Sequence, residues 1–360
     1  GSGPYKVSKI KRNSSGVADY YELKSFRKFA LGKPYINVLK FKFFTNEEEL
    51  LRVYLGGGVD NINSISPSKA RELEQQGKNV VRVPLSRIFG LFLNQNQKQI
   101  FANKEARIAL NKAIDKTKIV NEALYGYATA INSPIPPGIL NAHKQELYSK
   151  GEARAILEKG GWKWNEGKGV WQKKIGKNTE DLTFDISTAD APELKKVAEI
   201  MKEDFGAIGI KTNIKIFETG ALNQTIIRPR KYDSLLFGEI IGKDLDLFAF
   251  WHSSQRNDPG LNVSQYASLK ADKILEDSRN ISDKDARLEK FAEFQNEIIK
   301  DVPAIFVYSP DFLYITPNKL KGFDMKSISI PSERFNTVYK WYIDTERVWT
   351  LINKLNSSIY

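Results

Sequence analysis

The sequence predicts a two-domain α/β protein, and three observations carry that expectation. Its 360 residues suffice for two compact domains, and 41% hydrophobic against 27% charged residues is the balance of a globular chain. Residues 182–217 pass from a strand-like pattern to a helical one and back, the order from which an α/β layer is built. Residues 103–124 and 283–301 repeat apolar side chains at helical spacing with charged residues between them.

From the start of the chain, Gly1 to Val7 enters a strand that a polar loop, Asn13-Ser14-Ser15-Gly16, separates from the next segment. Val38 to Phe44 alternates apolar residues with lysine, as a half-buried strand does. Asn46 then caps a helix whose first turn carries Glu47, Glu48 and Glu49, where the helix dipole favours acids. Gly56-Gly57-Gly58 ends that helix; no Lys-Ser/Thr pair follows, so the glycines form a turn and not a phosphate loop. Val80 to Asn94 reads as a strand in which Pro84 marks an edge or a crossover between sheets. Asn103 to Leu124 reads as one helix, and Ser133-Pro134-Ile135-Pro136-Pro137-Gly138 as a loop.

A helix from Gly151 to Lys159 stops at Gly160-Gly161. Trp162-Lys163-Trp164-Asn165 and Gly169-Val170-Trp171-Gln172 then flank a turn as a hairpin, whose tryptophans are read as cross-strand scaffold in preference to a sugar platform. Leu182 to Ser187 is a strand, Pro192 to Phe205 a helix and Gly209 to Phe217 a strand. Asp233 to Trp251 is largely apolar, broken by Gly238 and Gly242, and is expected to deliver Trp251 to an exposed polar loop, Ser253 to Gly260. Ala267 to Ser278 and Asp283 to Asp301 are amphipathic helices; Ala304 to Tyr308 is a buried strand that runs by way of Pro310 towards Pro317.

Composition narrows the function classes. With no cysteine, thiolate catalysis, disulfides and cysteine metal sites are excluded together. The net charge of +12 invites a nucleic-acid reading, but the 55 basic residues are interleaved with 43 acidic ones and no nucleic-acid-binding motif accompanies them. Asp204-Phe205-Gly206 imitates a kinase magnesium motif without the catalytic loop that would go with it. The two histidines, His143 and His252, belong to no zinc helix or nucleophile elbow, and Asp244 and Asp246 alternate along an extended segment, which turns them to opposite faces. The expectation is a protein without catalytic residues, cofactor or resident metal.

Taken in order, these segments resemble the extracellular solute-binding proteins of family 5, which include oligopeptide-, dipeptide- and nickel-binding receptors of ABC importers. The resemblance rests on Gly1-Ser2-Gly3-Pro4-Tyr5, on Gly57-Gly58-Val59-Asp60, on Ala106 to Lys116, on Phe205-Gly206-Ala207-Ile208-Gly209-Ile210, and on Phe250-Trp251 followed by Asp258-Pro259. Val302-Pro303-Ala304-Ile305, Lys321-Gly322-Phe323 and Phe335 to Tyr342 extend it to the last part of the chain. It implies a periplasmic-binding-protein type of α/β fold, two lobes joined by a hinge, with one lobe incomplete. Residues 1–86 would be part of the first lobe, 87–316 the second lobe with its hinge crossings near Arg87–Asn94 and Tyr308–Thr316, and 317–360 the return to the first lobe. It implies further that a signal peptide, a lipid-bearing cysteine and much of the first lobe precede Gly1, so that membrane association would come only through that missing anchor.

The function implied is capture of a small ligand, a short peptide foremost, between the lobes and delivery to an ABC transporter permease, in the periplasm or on the outer face of the cytoplasmic membrane. Alternatives are a sugar or metal complex as ligand, or a surface interaction protein that keeps the fold without transport. The candidate ligand-binding residues are Asn94 and Gln95 at the first crossing, Phe250, Trp251 and His252, then Ser253, Ser254, Arg256, Asp258 and Tyr266. Family peptide receptors carry an aspartate three residues after such a tryptophan; Ser254 stands there, and Asp258 is the nearby carboxylate that would hold a ligand amine. Arg256 is the fork for a ligand carboxylate.

Overall fold

The computed structural model describes residues 2–140, 148–242 and 245–343; His143 and Asp244 lie outside them. The chain opens with three strands, β1 (Tyr5–Arg12), β2 (Ala18–Ser25) and β3 (Val38–Lys42), followed by helices α1 (Glu47–Leu55) and α2 (Pro67–Gln75). Strands β4 (Asn79–Pro84) and β5 (Arg87–Leu93) lead to α3 (Lys104–Ala113), α4 (Lys116–Glu122), β6 (Ala128–Ala130) and α5 (Lys150–Lys159). A small meander of β7 (Lys163–Asn165), β8 (Val170–Ile175) and β9 (Asn178–Asp181) precedes β10 (Thr183–Ala189), α6 (Pro192–Ala207), β11 (Lys211–Phe217), the single turn α7 (Thr219–Ala221) and β12 (Ser234–Ile240). The one-turn α8 (Phe248–Trp251), α9 (Leu269–Asn280) and α10 (Lys284–Asp301) come next, then β13 (Ala304–Thr316) and a last pair, β14 (Leu320–Lys321) and β15 (Tyr342–Ile343).

The central sheet runs β11-β10-β12-β5-β13-β4, with β6 paired to β13. Strands β10, β11 and β12 are parallel to one another, whereas β5 is antiparallel to β12 and β13 antiparallel to β5. The apolar residues fall into separate clusters. The largest holds residues from Ile88 to Tyr308, with Phe101, Phe184 and Phe205 on one face of the sheet and Phe92, Trp251, Phe294 and Phe306 on the other. Two smaller clusters, one around Ile62, Leu73 and Ile315 and one around Val83, Phe312 and Trp341, gather the residues before Leu85 and after Phe312. The chain therefore passes between cores twice, between Leu85 and Ile88 and between Tyr308 and Phe312.

Those two passages run side by side. The Leu85 amide donates to the Pro310 carbonyl, the Ser309 hydroxyl to the Leu85 carbonyl, and the Ser86 amide to the Ile328 carbonyl. The crossing thus sits at residues 84–87 and 308–311, before the stretch Arg87–Asn94 that sequence suggests. Pro84 stands at the break, ending β4. Pro310 interrupts nothing: β13 runs through it as one strand of 13 residues, because the proline's carbonyl still accepts from Leu85 while its missing N–H is not called on.

Residues 103–124 form two helices, not one. Asp115 caps the second, its Oδ1 accepting from the Lys118 amide at 2.8 Å, while its own amide donates to Asp204 Oδ2 at 3.0 Å. Asp204, in the kinase-like triplet, is thereby a buried structural acceptor whose carboxyl is raised above the usual range by burial. In the meander Trp164 faces Trp171 across the strands at 5.6 Å between ring centroids, and Trp162 Nε1 donates to Asn103 at 3.0 Å, so these tryptophans pair and anchor within the protein.

Candidate functional site

In open sheets with parallel strands, ligands are held in the crevice beyond the carboxyl ends of the strands, where main-chain groups and loops converge. Here β10, β11 and β12 end together at Ala189, Phe217 and Ile240. Antiparallel β5 begins at that same edge with Arg87, and β13 reaches it at Tyr308 before crossing. The Ile241 amide donates to the Ser86 carbonyl at 2.8 Å, which ties the end of β12 directly to the crossing. The carboxyl edge of the larger lobe therefore lies against the passage between lobes.

Four side chains give this edge its chemistry. Arg87 is half-buried, has no hydrogen-bond partner for its buried Nε, and is drawn below the usual guanidinium range by desolvation. Phe89 lies opposite Gly238 on β12 and stacks on Tyr308 with centroids 4.8 Å apart and planes at 8°. A Cβ on residue 238 would stand 2.7 Å from the Phe89 ring, so the glycine is what lets the ring lie flat. Tyr308 is buried and its phenol raised well above the usual range by that burial. Glu239, on the opposite face beside Ile88, is buried with neither carboxyl oxygen hydrogen-bonded, and burial raises its pKa well above the usual carboxylate range.

The residues singled out from sequence lie elsewhere. Asn94 follows the far end of β5, seven residues from Arg87 and thus ~20 Å from the crossing. It is buried and spent on local backbone: its amide group donates to the Arg230 carbonyl, and its oxygen accepts from the Asn96 and Gln97 amides, with Gln95 half-buried beside it. Trp251 is not on an exposed loop. It closes the single turn α8 and is fully buried against Phe92, Phe294 and Phe306, its indole packed into the main core. Phe250 is half-buried against the same core.

His252 is also buried, stacked on Phe248 at 4.0 Å, with Nδ1 2.8 Å from the Ser254 hydroxyl and Nε2 3.4 Å from Glu276. Ser253 donates through its amide and hydroxyl to Asp272, a helix-loop staple. Arg256 donates to the Ser253 carbonyl, while its own carbonyl accepts from Arg230 and Gln265. Asp258 is exposed, 3.9 Å from Arg228, and Tyr266 Oη donates to Asp301 at 2.7 Å. Asp246 forms a two-point pair with Arg279, at 3.1 and 2.6 Å. Asn262 organises the whole loop: its side-chain amide donates to the carbonyls of Trp251, His252 and Tyr266, and its oxygen accepts from the Tyr266 amide and the Ser264 hydroxyl.

The loop from Ser253 to Tyr266 is thus a self-satisfied cap at the end of the lobe away from the crossing. The sequence held one pointer to the other end, a lone glutamate inside the apolar run Leu235 to Ile241.

Residues 1–260 match the family described as bacterial extracellular solute-binding proteins, family 5 middle. The chain belongs to that family. Among curated relatives it is 26% identical over 352 residues to the oligopeptide-binding protein AppA of Bacillus subtilis, an alignment covering 95% of this chain and 62% of AppA. It is 22% identical over 333 residues to the nickel-binding protein NikA of Staphylococcus aureus, covering 90% of this chain and 62% of NikA. The chain therefore spans about three-fifths of the length of these relatives. Among solved structures, AppA of Bacillus subtilis in complex with a nonapeptide superposes with a TM-score of 0.74 at 23% identity, over 95% of this chain and 66% of that one. The ABC transporter substrate-binding protein CtaP of Listeria monocytogenes gives 0.79 at 20% identity, over 96% and 67%. The α/β fold of this family member is that of the solute-binding proteins.

Proposed function

We propose that the protein is an extracytoplasmic receptor that captures a short peptide at the carboxyl edge of its larger lobe, beside the crossing, and delivers it unchanged to an ABC importer. The observation that supports this most is the convergence of three parallel strand ends on the only two passages between the described cores, in a family of solute-binding proteins. A hinge of two adjacent strands lets lobes close over a ligand while few backbone angles change. Closure removes water, which strengthens the hydrogen bonds of main-chain groups at the strand ends and of the Arg87 fork with a ligand carboxylate. Phe89 and Tyr308 would offer a flat apolar surface to a side chain. Such a site binds by backbone and shape and tolerates many sequences.

The test is native mass spectrometry of the protein purified without denaturation, followed by calorimetric titration with defined peptides before and after an incubation. A ladder of released peptides, and titrant recovered intact, support the reading. Saturable binding of none of a panel of two- to nine-residue peptides, or cleavage of the titrant, would overturn it.

A further inference from the structure

The smaller lobe carries a second cavity of about 670 Å³, remote from the carboxyl edge and walled by β3, by the segment around Asn61 and by Tyr314, Arg334, Phe335 and Trp341. Three of its lining residues hold buried polar atoms without hydrogen-bond partners: Arg334 Nε, Trp341 Nε1 and Asn61 Oδ1. Two are donors and one an acceptor, and each costs free energy while unmatched.

Arg334 is the most exacting. Its ring contacts are aromatic, with Phe335 at 4.1 Å, Tyr314 at 5.3 Å and Phe312 at 5.7 Å from the guanidinium. Its terminal nitrogens donate only to neutral groups, the Pro331 carbonyl and Asn63 Oδ1, and it forms no ion pair with a described residue. An arginine stacked among rings, with Nε unmatched, is set up to receive a carboxylate. The cavity also runs along β3, which pairs with β2 on one side and has no partner strand on the other among the described residues. A free strand edge is a template for another extended chain.

We propose that this cavity docks an extended peptide segment that adds to the free edge of β3 and places an acidic side chain on Arg334 and the Trp341 indole N–H. Asn61 Oδ1 accepts a main-chain N–H of the incoming segment, and Phe335 and Tyr314 cover its apolar neighbours. The site is distinct from the carboxyl edge: Tyr314 lies six residues beyond Tyr308 on β13, ~20 Å along the strand.

The probe is the capped peptide acetyl-Thr-Val-Glu-Val-Thr-amide, with its Gln counterpart as control, titrated into the full chain while indole N–H resonances are followed by NMR. The Glu peptide should shift the Trp341 resonance, assigned by its loss in Trp341→Phe, and bind at least about ten-fold more tightly than the Gln peptide. In Arg334→Gln that preference should vanish. Equal affinity of the two peptides for the unaltered chain, which needs no variant to fold, would overturn the proposal. So would absence of binding by either peptide, or a preference that survives replacement of both Arg334 and Trp341, since the peptide would then be seated elsewhere.

Discussion

Glu239 is the residue whose environment departs furthest from what its chemistry prefers: a carboxyl in a strand interior, buried and without a partner. Its folded pKa is raised by desolvation, so the sign of its linkage is fixed. Below the ordinary glutamate range both folded and unfolded chains hold the proton and nothing is lost. As pH rises above that range the unfolded chain ionises while the buried group resists, and stability falls until the raised folded pKa is passed. Glu239→Gln removes this dependence. In thermal melts across pH, the variant should match the unaltered protein near pH ~4 and exceed it increasingly towards neutrality; a constant difference would show that the carboxyl is ionised and paired in solution. Asn262 is the opposite case, a buried amide with all its capacity used on three carbonyls, one amide and one hydroxyl. Asn262→Ala should destabilise by about 3 kcal/mol in urea unfolding, since several buried backbone groups lose their partner at once. A cost below ~1 kcal/mol would mean that water reaches the loop and replaces the side chain.

At the scale of elements, the strand–helix–strand of residues 182–217 was legible because each pattern is local: β10, α6 and β11 need only their own alternation or helical spacing to be recognised. The division of 103–124 into α3 and α4 was not, because the break at Asp115 depends on Asp204, 89 residues away, accepting its amide. Trp251 was misplaced for the same kind of reason. The polar run after it suggests exposure, but the partners that bury it come from β5, α10 and β13. The edge strands β5 and β12 offer a test of such a tertiary contact. Gly238→Val drives a branched side chain into the Phe89 ring, which must leave its stack on Tyr308. The expected loss is about 1–3 kcal/mol of stability by chemical unfolding, with weaker peptide binding at the carboxyl edge. Unchanged affinity would remove the Phe89–Tyr308 pair from the proposed site.

For the whole molecule, two cores joined by adjacent strands make binding and stability one measurement. A ligand at a hundred times its Kd should raise the unfolding free energy by about 2.7 kcal/mol, if it binds only the folded protein. Arg87→Gln tests which edge of the lobe receives it: peptide affinity should fall by about ten- to a hundred-fold, the scale of a charged hydrogen bond, and the loss should disappear for peptides amidated at the C-terminus. If Arg256→Gln instead produces that pattern and Arg87→Gln does not, the distal loop is the binding face.

By itself the sequence determined the α/β class, most helix and strand positions and the family, because apolar periodicity, capping residues and glycine turns act over a few residues and are written in order along the chain. Only the tertiary structure decided which ends of the strands face the crossing, and with that the placement of Arg87 and Glu239 at the passage and of Asn94 and Tyr266 away from it. Strand direction within a sheet is set by pairing between distant segments, here β5 with β12 and β13, and no local pattern encodes it.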